Sequence, residues 1–123
     1  LPDVSKESGS IFICVLGASD LEKSREVLES NFEVRRASDR EVAIRVINRV
    51  YEKPLEMLHR LSSLQLAGRN AIEIDQLPVE GQQREVATNN LTPGISVVTV
   101  RGSVAKPTII KLPDNALLEI LPY

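Results

Sequence analysis

The sequence predicts an α/β fold: a short parallel sheet with βα units, followed by a small β-rich α+β lobe. Three observations predict it. The apolar run Ile11-Phe12-Ile13-Cys14-Val15-Leu16 leads through Gly17 into an amphipathic stretch. The joint Ala18-Ser19-Asp20-Leu21-Glu22 then returns as Ala37-Ser38-Asp39-Arg40-Glu41, offset by 19 residues, with Val27-Leu28 matched by Val46-Ile47. From Asn70 onward, short β-branched segments alternate with Gly and Pro turn signals. Consecutive βα units imply parallel strands with right-handed crossovers.

Residues 1–10, with Pro2, Gly9 and three charged side chains, read as a tail or linker. Ile11–Leu16 reads as a strand covered on both faces. Ser19-Asp20-Leu21-Glu22 fits a capping box, in which the Ser hydroxyl and the Glu carboxylate satisfy N–H groups of the first turn. The helix runs from about Asp20 to Ser30, with Leu21, Val27 and Leu28 inward, and Asn31 ends it. Phe32–Ala37 is the second strand. Ser38–Glu41 is a second capping box, and Val42, Ala43, Val46, Ile47 and Val50 follow at helical spacing. The alternative makes residues 41–47 the second arm of a hairpin; the cap favours the helix. Pro54 suits the first turn of a third helix, with Leu55, Met57, Leu58, Leu61 and Leu64 as its apolar side and Gly68 as its stop. Leu55, Leu58 and Leu61 are candidates for a dimer interface, against an equal reading as core.

The second lobe begins with Ala71–Asp75, which alternates as a strand. Pro78–Gly81 is a turn, and Gln82–Asn90 is long enough for one short helix. Ile95–Val100, Thr108–Leu112 and Ala116–Leu121 are further strands. The seam between lobes falls near Leu66–Asn70, so residues 11–68 and 69–123 form the two units.

Composition narrows the chemistry. The 123 residues are 42% apolar and 26% charged, as in ordinary globular domains, but only 3% aromatic. The core is therefore aliphatic. The net charge of -2 gives no strong field for nucleic acid or membrane. Residues 31–70 carry eight basic and five acidic side chains, which read as a solvated, salt-bridged face. One His and one Cys argue against a dedicated protein-only zinc site. Lone Cys14 reads as a small buried hydrophobe. With no disulfide framework, a reducing compartment is favoured. His59 lacks a second His or a positioned nucleophile, which disfavours a hydrolase or transferase built on Asp20 and His59. The phosphate-binding and zinc motifs G-x-x-x-x-G-K-[ST], G-x-G-x-x-G, C-x-x-C and H-E-x-x-H are absent. Glu73, Asp75 and Glu80 follow no calcium-loop spacing and read as exposed charges.

The strand and Gly-Ala-Ser-Asp turn, then Phe32-Glu33-Val34-Arg35-Arg36-Ala37-Ser38-Asp39 leading into Arg40-Glu41-Val42-Ala43, resemble the later half of the nucleotide-binding lobe of regulator-of-K-conductance (RCK) domains. Ala71–Ile74, Leu91–Arg101, Pro107–Asp114 and Leu117–Leu121 are similar to their C-terminal lobe. The likeness spans residues 11–123. The family's glycine-rich dinucleotide turn is missing, and Pro113 stands where a glycine is usual. The resemblance implies a cytoplasmic regulatory domain of a potassium channel or transporter. Such domains are non-catalytic and homo-oligomeric, and they sense a small ligand or ion. If a nucleotide binds, the matching positions are Gly17, Ser19, Asp20 and Arg35; no cofactor is specified. A rival likeness, Val98-x-Val100-x-Gly102-x-Val104-x-x-Pro107, resembles the start of a soluble-ligand-binding β-grasp repeat of polysaccharide-export envelope proteins.

Overall fold

The computed structural model of the chain describes residues 12–66, 70–81, 91 and 94–123. It is mixed α/β, with two small sheets and two helices among the described residues. The elements are β1 (Ile13–Ala18), α1 (Leu21–Asn31), β2 (Arg36–Ala43), α2 (Arg45–Val50), β3 (Leu58–Gln65), β4 (Ala71–Gln76), β5 (Val97–Gly102), β6 (Thr108–Lys111) and β7 (Leu117–Pro122). The first sheet has the order β1-β4-β3-β2 and the second β5-β7-β6. The tail at residues 1–10, the Gly68 stop, the Gln82–Asn90 helix and Pro93 lie outside the described residues. No described helix is long and apolar enough to cross a membrane.

The parallel βα sheet is corrected. Only β1 and β4 pair in parallel in the first sheet, and β3 runs antiparallel to both β4 and β2. The second predicted strand lies further along, over residues 36–43 instead of 32–37, and Ser38–Glu41 is inside it. The second capping box does not form because that stretch pairs with β3 over its whole length. The Asp39 carboxylate accepts two hydrogen bonds from Arg25 Nη1, at 2.9 and 2.7 Å, rather than capping a helix. Pairing with a neighbouring strand outweighs helix preferences of a few tenths of a kcal/mol per residue. The predicted helix shrinks to the six-residue α2.

The third helix is replaced by β3. Pro54 sits in a turn closed by Met57 N–H on its carbonyl at 3.0 Å. Leu spacing misleads here because β3 lies between two strands, with buried residues on both faces. Leu64 faces α1 together with Ile72 and Ile74, while Leu61 is buried on the opposite face beside His59. β1 is an edge strand, not one covered on both faces, and Val15 is 53% exposed. β4, β5, β6 and β7 lie within two residues of the spans that the sequence predicts.

α1 is capped by Asp20, whose side chain accepts from Lys23 N–H at 3.0 Å; Ser19 is not the cap. The helix lays Leu21, Ser24 and Leu28 onto the first sheet. One aliphatic cluster joins both sheets: Leu28, Leu64, Ile72 and Ile74 belong to it with Leu112 and Leu118. Gly102 marks the tightest approach. A Cβ there would lie 2.9 Å from Ile120 Cγ2 and 3.8 Å from the Phe32 ring. Gly102→Ala is expected to lower stability by about 1–3 kcal/mol through overpacking. A urea midpoint equal to that of the unaltered chain would contradict this packing.

Candidate functional site

A cleft of about 420 Å³ opens between the two sheets. That volume is within the range of small-ligand sites, roughly 300–1,000 Å³. Phe12, Ile13 and Cys14 form one wall, where β1 begins, and Ala71 and Ile72 continue it on β4. Val98, Thr99, Val100 and Arg101 of β5 form the other wall. Leu66, Asn70 and Tyr123 complete the lining. A hollow of about 90 Å³ adjoins it and shares Leu66, Arg101 and Tyr123.

The walls are mainly aliphatic, and Arg101 is the one cation among the described lining residues. Its Nη1 donates to the Pro122 carbonyl at 2.8 Å, which ties the guanidinium to the end of β7. Guanidinium has five N–H donors in a planar fork, so most remain for a carboxylate. Burial pushes the Cys14 thiol above its ordinary value. It is a thiol rather than a thiolate at neutral pH, hence a poor nucleophile.

The residues that the RCK resemblance pointed to are not brought together. Gly17 lies within β1, and a Cβ there would meet the Leu77 side chain at 3.2 Å. Ser19 donates both its N–H (2.9 Å) and its hydroxyl (2.5 Å) to the Asp114 carboxylate. Leu21 N–H donates to Gln76 Oε1 at 2.9 Å. The Lys23 N–H holds the Asp20 carboxyl below the usual carboxylate range. The donors at the start of α1 are thus engaged by Asp114, Gln76 and Asp20 of the chain itself, where an anion would otherwise bind. Arg35 precedes β2, which runs in the same direction as β1. It therefore lies at the opposite end of the sheet from the Gly17–Asp20 turn.

Leu55 and Leu58 are exposed, whereas Leu61 is buried in β3, so the three share no helix face. His59 is buried and its Nε2 faces Asn48 Oδ1 at 2.5 Å. Asp75, read as an exposed charge, is buried and makes no hydrogen bond through Oδ1. Desolvation, then the Glu73 carboxylate, pushes its carboxyl up to about 6. Asp39 is held below the ordinary range. Ser62, its cross-strand neighbour, is the leading cause although its hydroxyl falls short of full hydrogen-bond geometry; the Arg25 guanidinium adds to it. Glu80 is exposed and paired with Lys53.

No group of three or more His, Cys, Asp or Glu side chains able to hold a metal ion occurs among the described residues. Sequence reasoning missed Arg101 and Tyr123. They lie 22 positions apart, and only the β5–β7 pairing, with Arg101 opposite Leu121, brings them to one rim. Comparison of the chain with protein-family models, with curated proteins and with solved structures finds no match.

Proposed function

We propose that the chain is a non-catalytic ligand-sensing module whose ligand occupies the cleft between β1 and β5. The observation that carries this reading is the cleft itself: about 420 Å³, with aliphatic walls and one guanidinium at the rim. The one described hydroxyl of a serine or threonine in the lining, that of Thr99, donates to the Glu119 carboxylate at 2.8 Å, and no histidine lines the cleft among the described residues. The thiol of Cys14 is protonated, and His59 is committed to Asn48. The RCK resemblance supplies the setting: cytoplasmic regulation of a potassium channel or transporter by a homo-oligomer. Exposed Leu55 and Leu58 remain candidates for contact between copies. A ligand regulates such a module only by binding two arrangements unequally.

Thermal unfolding with a panel of ligands tests this. The panel contains octanoate, nucleotides, cyclic dinucleotides and divalent ions, with light scattering to give the mass. A ligand at a hundred times its Kd stabilises by about 2.7 kcal/mol, which raises Tm by several degrees. A ligand of the cleft is expected to lose that shift in Arg101→Ala. A monomer whose Tm responds to nothing in the panel would reject the sensing role.

A further inference from the structure

The cleft runs between two strand edges. β1 ends the four-stranded sheet and β5 ends the three-stranded one, and neither has a second strand partner among the described residues. Hydrogen bonding shows which main-chain groups are spare. The carbonyls of Phe12 and Ala18 accept from Ala71 and Leu77 N–H, both at 2.8 Å. By alternation, the even-numbered residues of β1 turn their backbone toward β4, and Ile13, Val15 and Gly17 turn theirs outward. Likewise the Ser96 carbonyl accepts from Leu117 N–H at 3.3 Å. Val98 and Val100 then face β7, and Val97, Thr99 and Arg101 present N–H and C=O on the outer edge. Ile13, Thr99 and Arg101 all line the cleft.

Resting on the reading of this cleft as the ligand site, we infer that the ligand is a short extended peptide with a free terminal carboxylate, added as a strand along β5. Its main chain bonds Thr99 and Arg101, its carboxylate takes the spare guanidinium donors of Arg101, and its apolar side chains rest on Leu66, Ile72 and Val100. Four successive β5 residues line the cavity, a run of about 13 Å at a strand's rise. A row of spare backbone groups matches another backbone better than it matches a compact molecule, since strand addition draws affinity from main-chain bonds and specificity from alternate side-chain positions. One cation matches one carboxylate and leaves the charge of a polyphosphate unanswered.

The test uses the 123-residue chain and a degenerate pentapeptide library with Val, Ile, Leu or Thr at alternate positions and free carboxyl termini. Retained peptides are identified by mass, then titrated singly as acid and as amide. Amidation is expected to weaken binding at least fivefold. R101Q is expected to weaken the acid equally and leave the amide within twofold. T99P removes an outward N–H at an edge position, where proline is tolerated. It is expected to abolish binding, whereas T99V, which likewise loses the hydroxyl's bond to Glu119 but keeps the N–H, is expected to bind as the unaltered chain does. Bound peptide is expected to slow exchange of the Thr99 amide at least tenfold. Arg101-dependent binding of octanoate with no peptide retained rejects strand addition and leaves the cleft a ligand site. Binding by neither rejects both. Concentration-dependent doubling of mass with Thr99 protection makes a second copy the occupant and rejects the peptide.

Discussion

Asn48→Ala is expected to lower the unfolding free energy by about 2–4 kcal/mol, because a fully buried amide is removed and its three partners lose their bonds together. Asn48 is fully buried on α2. Its Nδ2 donates to the carbonyls of Leu55 (3.1 Å) and Met57 (2.9 Å). Its Oδ1 faces His59 Nε2 at 2.5 Å. Two carbonyl partners fix the amide orientation, so Oδ1 must accept and His59 must carry its proton on Nε2. One side chain thus fastens α2, the turn before β3 and the first residues of β3. That turn is otherwise held by few bonds: Lys53 N–H donates to the Asn48 carbonyl at 2.8 Å, and Glu52 takes φ 52°, a left-handed conformation that costs about 1 kcal/mol or more without glycine. Asn48→Asp should be at least as harmful at neutral pH, since a carboxylate cannot donate to either carbonyl. Urea unfolding measures both variants. A loss under about 0.5 kcal/mol in Asn48→Ala would mean that water replaces the amide without cost.

Asp75→Asn is expected to act in the opposite direction, stabilising the chain by about 1–2 kcal/mol at pH 7.5. The Asp75 carboxyl lies on β4 in the middle of the first sheet, with Gly17 of β1 and Leu61 of β3 on either side. Its folded value of about 6 is above the ordinary 3.8. Below 3.8 both folded and unfolded chains hold the proton, and the group leaves stability unchanged. Between 3.8 and about 6 the folded chain keeps a proton that the unfolded chain has lost, so stability falls as pH rises. Above about 6 the penalty is constant, bounded by ~3 kcal/mol and reduced by partial contact with water. The benefit of Asp75→Asn should therefore vanish near pH 4. Urea midpoints at pH 4 and 7.5 test the slope. An unaltered chain that loses no stability relative to the variant over that interval would show that the carboxylate is hydrated.

The strands of the second sheet were legible because their signals are local. Ile95–Val100, Thr108–Leu112 and Ala116–Leu121 are β-branched or alternating runs bounded by Gly, Pro and Asn, and each lies within two residues of β5, β6 or β7. The interval from Asp39 to Leu64 was not legible. Ser38 and Glu41 have capping-box spacing, yet in β2 they lie on opposite faces, and long-range pairing with β3 decides their conformation. Leu58, Leu61 and Leu64 satisfy a helical stripe equally well as two faces of a covered strand. Asp75 looked exposed because alternation alone assigns the odd positions of β4 to solvent. The face is in fact covered, since Leu61, the cross-strand partner of Asp75, and His59 are buried on it too. The cleft depends on which strands are edges, a property of topology that no local pattern carries.

The order β5-β7-β6 has a consequence for biosynthesis. β7 is the only strand that β5 and β6 pair with among the described residues, and it is made after both. Until residues 117–122 have left the ribosome, β5 and β6 have no ladder to join. The carboxylate of Asp114 has no finished turn from which to reach Ser19. The second sheet therefore assembles only after its own synthesis is complete. A nascent chain stalled before Leu117 should expose the β-branched segments 97–102 and 108–111 to chaperones or to one another.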